Sequence, residues 1–240
     1  MIKAIEEFNK LRRGVLGIVK AADVYALHLI ASIRKEEPDI EGINSIITKG
    51  KVSVLNITSQ MYSKSELEIL ENEGHFTEIG QQIIVATHTA LESYLNLKFQ
   101  EYYRFLSFDS KESLVEETLN RIRFRSLKDI SKAYFKFFGI HIPSIDINYY
   151  GANDCNFKPI NSWEALRLIS DTRNDIVHKG CSSDYKITTL MDSWYPFEFV
   201  MRWVDQFNLN FDYFIYEGKE TKYYSNHKEK SIKAGVLNKK

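Results

Sequence analysis

Arg173-Asn174-Asp175-Ile176-Val177-His178, followed by Lys179-Gly180, sets a permanent cation, a carboxamide and a titratable imidazole in one short window. Arg stays charged at every relevant pH and its planar fork fits a phosphate, whereas His gains or loses a proton near neutrality. That combination suits phosphodiester chemistry. Arg173 could hold the phosphate and offset developing negative charge, His178 could move a proton as general base or acid, and Asn174 could orient either group. Ten Arg, fifteen Asn and six His scattered independently over 240 residues would give about 0.02 matches to R-N-x-x-x-H, so Asn174 carries most of the specificity.

Helical geometry constrains how these groups can meet. Asn174 and His178 are four apart and share a face, whereas Arg173 and His178, five apart, diverge by about 140°. A bend before Gly180, or a twofold axis bringing in the Arg or His of a second chain, would bring them together. The spacing therefore fits a site shared by a dimer better than a self-contained one. Each residue also has an ordinary reading: Arg173 as an ion-pair partner within a bundle, His178 as a helix-end histidine favoured by the dipole, and Asp175 as the i,i+4 partner of Lys179.

Composition narrows the classes. Lys plus Arg equal Asp plus Glu at 32 each, so a nucleic-acid partner must be met by a local patch. The stretch Arg121, Arg123, Arg125, Lys128, Lys132 and Lys136, interleaved with Phe124, Tyr134 and Phe135, is such a candidate for RNA guidance, and equally a solvated charged surface. Cys155 and Cys181 lack zinc spacing, and no H-E-x-x-H or carboxylate cluster suggests a metal, so no cofactor is expected. With no signal-like start and no uninterrupted apolar run near 18 residues, a cytoplasmic protein without a membrane partner is expected.

The elements that must position the motif are helices. Apolar spacing of three and four predicts a first helix over 5–33, a long core helix over 77–106, and short helices over 110–122 and from Ser126 to Gly139. A helix opened by Asn161 or Ser162 carries the motif, and a last one spans 193–213 with Pro196 in its first turn. Ser63-x-x-Glu66 reads as a capping box before a further short helix. A short hairpin is expected at 43–57 around Lys49-Gly50-Lys51, and a structured loop at 141–158. His88 falls in the apolar register Ile84, His88, Leu91, Leu95, with Glu92 as its i+4 partner: a core histidine or, less simply, a support for the site. Residues 218–240 hold seven Lys against two Glu without apolar period, which predicts a flexible tail.

Three passages carry a family resemblance: Ala86-Thr87-His88-Thr89-Ala90-Leu91-Glu92-Ser93-Tyr94-Leu95 in the long helix, Trp163-Glu164-Ala165-Leu166, and the 173–178 window, which is similar to an R-x4-6-H signature. Together they resemble the HEPN superfamily, most closely its RiboL-PSP type. The resemblance spans 76–216 and implies an all-α, HEPN-like helical bundle there; residues 1–75 lie outside it and read from their own pattern as a mainly helical extension of unknown role with the short hairpin, and 217–240 as the lysine-rich tail. It implies a homodimer with a composite active site and metal-independent endoribonuclease activity leaving 2′,3′-cyclic phosphate and 5′-hydroxyl ends. It further implies a toxin or antiviral defence effector restrained by an antitoxin or regulatory protein. Arg173, Asn174 and His178 would be catalytic, Lys179, Arg121, Arg123 and Arg125 would bind RNA, and Asp175, His88 and Glu92 would support them. Some members of the family instead bind RNA, nucleotide or protein without catalysis.

Overall fold

Apolar spacing dictates the architecture, because each amphipathic helix must bury its stripe against another. The computed structural model describes residues 3–37, 41, 63–72, 77–107, 109–147, 156–181, 185–187 and 190–217; the hairpin expected at 43–57 and the tail at 218–240 lie outside them. The described residues form an all-α fold without strands: α1 (Lys3–Arg34), α2 (Lys64–Asn72), α3 (Thr77–Leu106), α4 (Glu112–Arg121), α5 (Leu127–Phe138), a 3-10 turn at Ile142–Ser144, α6 (Ser162–Lys179) and α7 (Leu190–Glu217).

Local chemistry sets the ends. Ser63 and Glu66 form the capping box, with the Ser63 N–H donating to Glu66 Oε2 at 2.7 Å, and Arg34 at the end of α1 donates to both Glu66 oxygens at 2.5 and 3.0 Å. Ser126 caps α5 by accepting from the Asp129 N–H, and Asn161, rather than Ser162, caps α6 by accepting from the Glu164 N–H. Gly139 and Gly180 close the same two helices at φ 69° and 77°, a conformation that costs glycine little.

The last helix differs from expectation. It starts at Leu190, which puts Pro196 inside the helix instead of its first turn. Proline has no N–H to return to the carbonyl four residues earlier. The buried Tyr185 hydroxyl donates to that carbonyl, the oxygen of Asp192, and this bond makes the interior proline tolerable.

α3 is the axis of the bundle. It packs against α1, α4, α5, α6 and α7. The Tyr94 ring meets Phe8 of α1 at 5.3 Å and Phe207 of α7 at 6.0 Å, while Phe99 packs on Tyr134 and Phe138 of α5 at 5.6 and 4.9 Å. By length and composition α1 could also cross a membrane, since only Lys20 and Asp23 are charged between Gly14 and Ile33. In this fold its apolar stripe of Phe8, Val15, Val19, Ala26 and Ile30 is buried in the shared core.

Polar groups on α3 find partners on α7. Tyr94 donates to Asn208 Oδ1 at 2.8 Å and Tyr102 to Asp212 Oδ1 at 2.9 Å. The Lys98 ammonium, 2% exposed, lies 2.7 Å from Asp212 Oδ1 and 3.5 Å from Glu101 Oε2. A buried cation that loses its counter-ion is costly, whereas Asp212 is a third exposed and can be solvated. Asp212→Ala should therefore cost about 3 kcal/mol in urea unfolding, and Lys98→Met clearly less. The reverse ranking would show that the pair does not carry the α3–α7 register.

Candidate active site

The site is built where α6 and the connector between α4 and α5 approach the side of α3. α6 turns Ala165, Leu166, Ile169, Thr172 and Ile176 into the core, which brings Arg173 to the edge of that buried face. α3 presents Glu92, Ser93 and Asn96 opposite. Between α4 and α5, the backbone is extended at Ile122 (φ −75°, ψ 119°) and at Ser126 (φ −157°, ψ 161°). In extended chain, alternate residues share a side. Ile122 and Phe124 are accordingly half-buried, and Arg123 and Arg125 exposed.

These elements enclose a cleft of about 330 Å³ that contains Glu92, Ser93 and Asn96 together with Arg125, Arg173 and Asn174. Arg173 is half-buried. Its Nη1 donates to Asn174 Oδ1 at 2.9 Å, so the carboxamide orients the guanidinium, while its Nε is buried without a hydrogen-bond partner among the described residues. Such an unsatisfied donor costs about 1–3 kcal/mol, and a ligand oxygen would relieve that cost.

The guanidinium acts on two groups beneath it. His88 is 1% exposed, its Nδ1 lies 3.5 Å from Glu92 Oε2, and neither ring nitrogen has a hydrogen bond among the described residues. Burial, reinforced by the Arg173 charge, pulls the imidazole from 6.5 to about 4, so His88 is neutral at pH 7. Burial raises the Glu92 carboxyl above its ordinary value, with Arg173 opposing the rise. A half-buried carboxyl beside a guanidinium is the one acid–base group among the residues lining this cleft.

Other expected residues lie elsewhere. His178 is exposed in the last turn of α6 and does not line the cleft. The helix runs unbroken to Lys179 and turns only at Gly180, so no bend realigns Arg173 and His178 within one chain. Lys179 pairs with Asp175 at 2.7 Å, the ordinary i,i+4 arrangement, away from the cleft. Arg121, still on α4, pairs with Glu117 one turn earlier and lines none of the clefts described here, whereas Arg125 lines this one and Arg123 an adjoining one.

Lys128 of the basic stretch borders these clefts too, as do Arg167, Ser170, Ser93 and Asn96, which were not anticipated. The signal was present: Arg167, Ser170, Asp171 and Asn174 recur at i, i+3, i+4 and i+7, a polar face of α6. Among the described residues no group of three or more His, Cys, Asp or Glu is placed to hold a metal ion. No protein-family model matches the chain, and neither a curated protein nor a solved structure matches it significantly.

His88 supplies a pH test. Its folded pKa of about 4 lies below the ordinary 6.5, so the unfolded chain takes up the proton first and stability falls as pH drops from 6.5 towards 4. The contribution is about 3 kcal/mol, fully present above 6.5; the raised Glu92 carboxyl works in the opposite sense. His88→Leu should therefore lose much less stability than wild type between pH 7 and 4.5 in urea titrations. Parallel losses in the two proteins would mean that His88 is not a buried neutral group.

Proposed function

We propose that the protein is a HEPN-type, metal-independent endoribonuclease that acts as a homodimer, with Arg173 and Asn174 of one chain and His178 of the other completing each site. The 2′-hydroxyl of RNA attacks the adjacent phosphorus as its proton leaves, and the bond from phosphorus to the 5′-oxygen breaks as that oxygen takes up a proton. The products are a 2′,3′-cyclic phosphate and a 5′-hydroxyl. Arg173 holds the phosphate and offsets its growing charge, Asn174 fixes the guanidinium, and His178 moves one of the protons. The resemblance adds a role as a toxin or antiviral effector restrained by a partner protein, and the sequence's start and cysteine usage add a cytoplasmic setting.

One observation carries the reading. Arg173 presents a half-buried guanidinium, with an unsatisfied buried Nε, to a cleft that also holds Arg125, while His178 stands exposed at the end of the same unbroken helix. A phosphate-binding group and a proton-transfer group separated in this way call for two copies of the chain. The exposed position of His178 equally favours a second reading, in which the same cleft belongs to a non-catalytic module that binds RNA, nucleotide or a partner protein.

Incubation of purified protein with RNA in excess EDTA separates them. The nuclease reading expects cyclic-phosphate ends, resistance of DNA, and a loss of about 10²-fold or more in His178→Ala. Arg173→Lys keeps the charge but loses the planar fork, and should also be impaired. Undiminished cleavage by His178→Ala would sink the assignment. A salt-sensitive complex with no product from folded dimer would establish the binding module instead.

A further inference from the structure

Two further clefts adjoin the central one and share lining residues with it. A cleft of about 250 Å³, bordered by Gln100, Arg104 and Arg123, shares Asn96 and Phe124 with it. On the other side a cleft of about 430 Å³, bordered by Lys128, Trp163 and Arg167, shares Ser126, Ser170 and Asn174. The connector forms a common wall in chain order: Ile122, Arg123 and Phe124 line the first cleft, Phe124, Arg125 and Ser126 the central one, and Ser126, Leu127 and Lys128 the third. Five extended residues cover about 16 Å.

The charge along this trough departs from that of the chain. Arg104, Arg123, Arg125, Lys128, Arg167 and Arg173 line it against Glu92, Glu116 and Asp171, in a protein of net charge zero. Arg104 is committed to Glu116, at 2.7 and 3.1 Å. Arg123, Arg125, Lys128 and Arg167 are exposed and make no hydrogen bond or ion pair with another described residue. Between the cations stand Ser93, Asn96, Gln100 and Asn120, which can pair with base edges, and the half-buried Trp163, on which a base can stack.

We propose that the three clefts form one track for single-stranded RNA, in which Arg173 meets an internal phosphate and Arg123 and Arg167 hold the strand on either side. The ligand follows from the ribonuclease reading above. Cations spaced along a groove suit a repeating anion better than a single phosphate. A flexible single strand can enter three concavities in succession, with its bases turned to the amides and Trp163, whereas a duplex presents a stiff, stacked cylinder. At 3.4 Å per stacked phosphate the wall accommodates on the order of three to five nucleotides.

A labelled 2′-O-methyl oligoribonucleotide of about 12 nucleotides, which lacks the attacking hydroxyl and cannot be cut, tests the track by fluorescence anisotropy. The single strand should bind at least tenfold tighter than the same strand annealed to its complement. Arg123→Glu and Arg167→Glu should each weaken it about tenfold and flatten its salt dependence, with melting curves unchanged. Arg13→Glu, on the exposed face of α1, should bind as wild type. Equal binding of the duplex, wild-type affinity in both trough variants, or an equal loss in Arg13→Glu would overturn the track. If the oligonucleotide binds as described but natural RNA is not cut, the nuclease reading fails and the track stands. If RNA is cut while the trough variants bind normally, the track alone fails.

Discussion

The structure depends on the burial of α3. An isolated helix covers at most one face, yet Ile83, Leu91, Tyr94, Leu95, Phe99 and Tyr102 of α3 are all buried, which requires neighbours on several sides at once. α1 and α7 supply two of them. Because α3 also buries Lys98 and the Tyr94 and Tyr102 hydroxyls, α7 must meet it in the register that offers Asn208 and Asp212. On its second half Ser93, Asn96, Gln100 and Arg104, spaced three and four apart, are half-buried or exposed, and this polar stripe borders the trough.

Most of the unsatisfied polar groups gather at the same place. Of the five buried side-chain atoms without hydrogen bonds among the described residues, both nitrogens of His88 and Arg173 Nε belong to the contact between α3 and α6, Thr87 Oγ1 lies next to His88 in the chain, and Glu71 Oε2 lies apart on α2. Each costs about 1–3 kcal/mol of stability. Proteins tend to carry such costs where function needs them. Here the buried imidazole of His88 lies within the field of the Arg173 guanidinium proposed to bind phosphate.

Much of this was readable in the residues. The bounds of α3, the Ser63–Glu66 capping box, the caps at Ser126 and Asn161 and the glycine stops at 139 and 180 all follow from local hydrogen-bonding and φ preferences, which tertiary contacts did not override. The interior placement of Pro196 was not readable, because it relies on Tyr185, eleven positions away, to satisfy a carbonyl. Nor was the fate of the basic stretch. Its alternation fits no helical face because the chain is extended there, and only the point at which α4 stops decides that Arg121 pairs with Glu117 while Arg123 and Arg125 reach the trough. The i, i+3, i+4, i+7 polar face of α6 was legible but meant little until the connector stood opposite it.

The proposed site takes its guanidinium from one chain and its imidazole from the other. Co-expression of Arg173→Ala and His178→Ala chains under different tags, with isolation of the mixed dimer, tests it directly. A shared site leaves one of the two centres intact, so the mixed dimer should recover about one half of wild-type RNA cleavage while each homodimeric variant is inactive. A mixed dimer as inactive as its parents, beside an active wild type, would place both groups on the same chain and rule out the shared site.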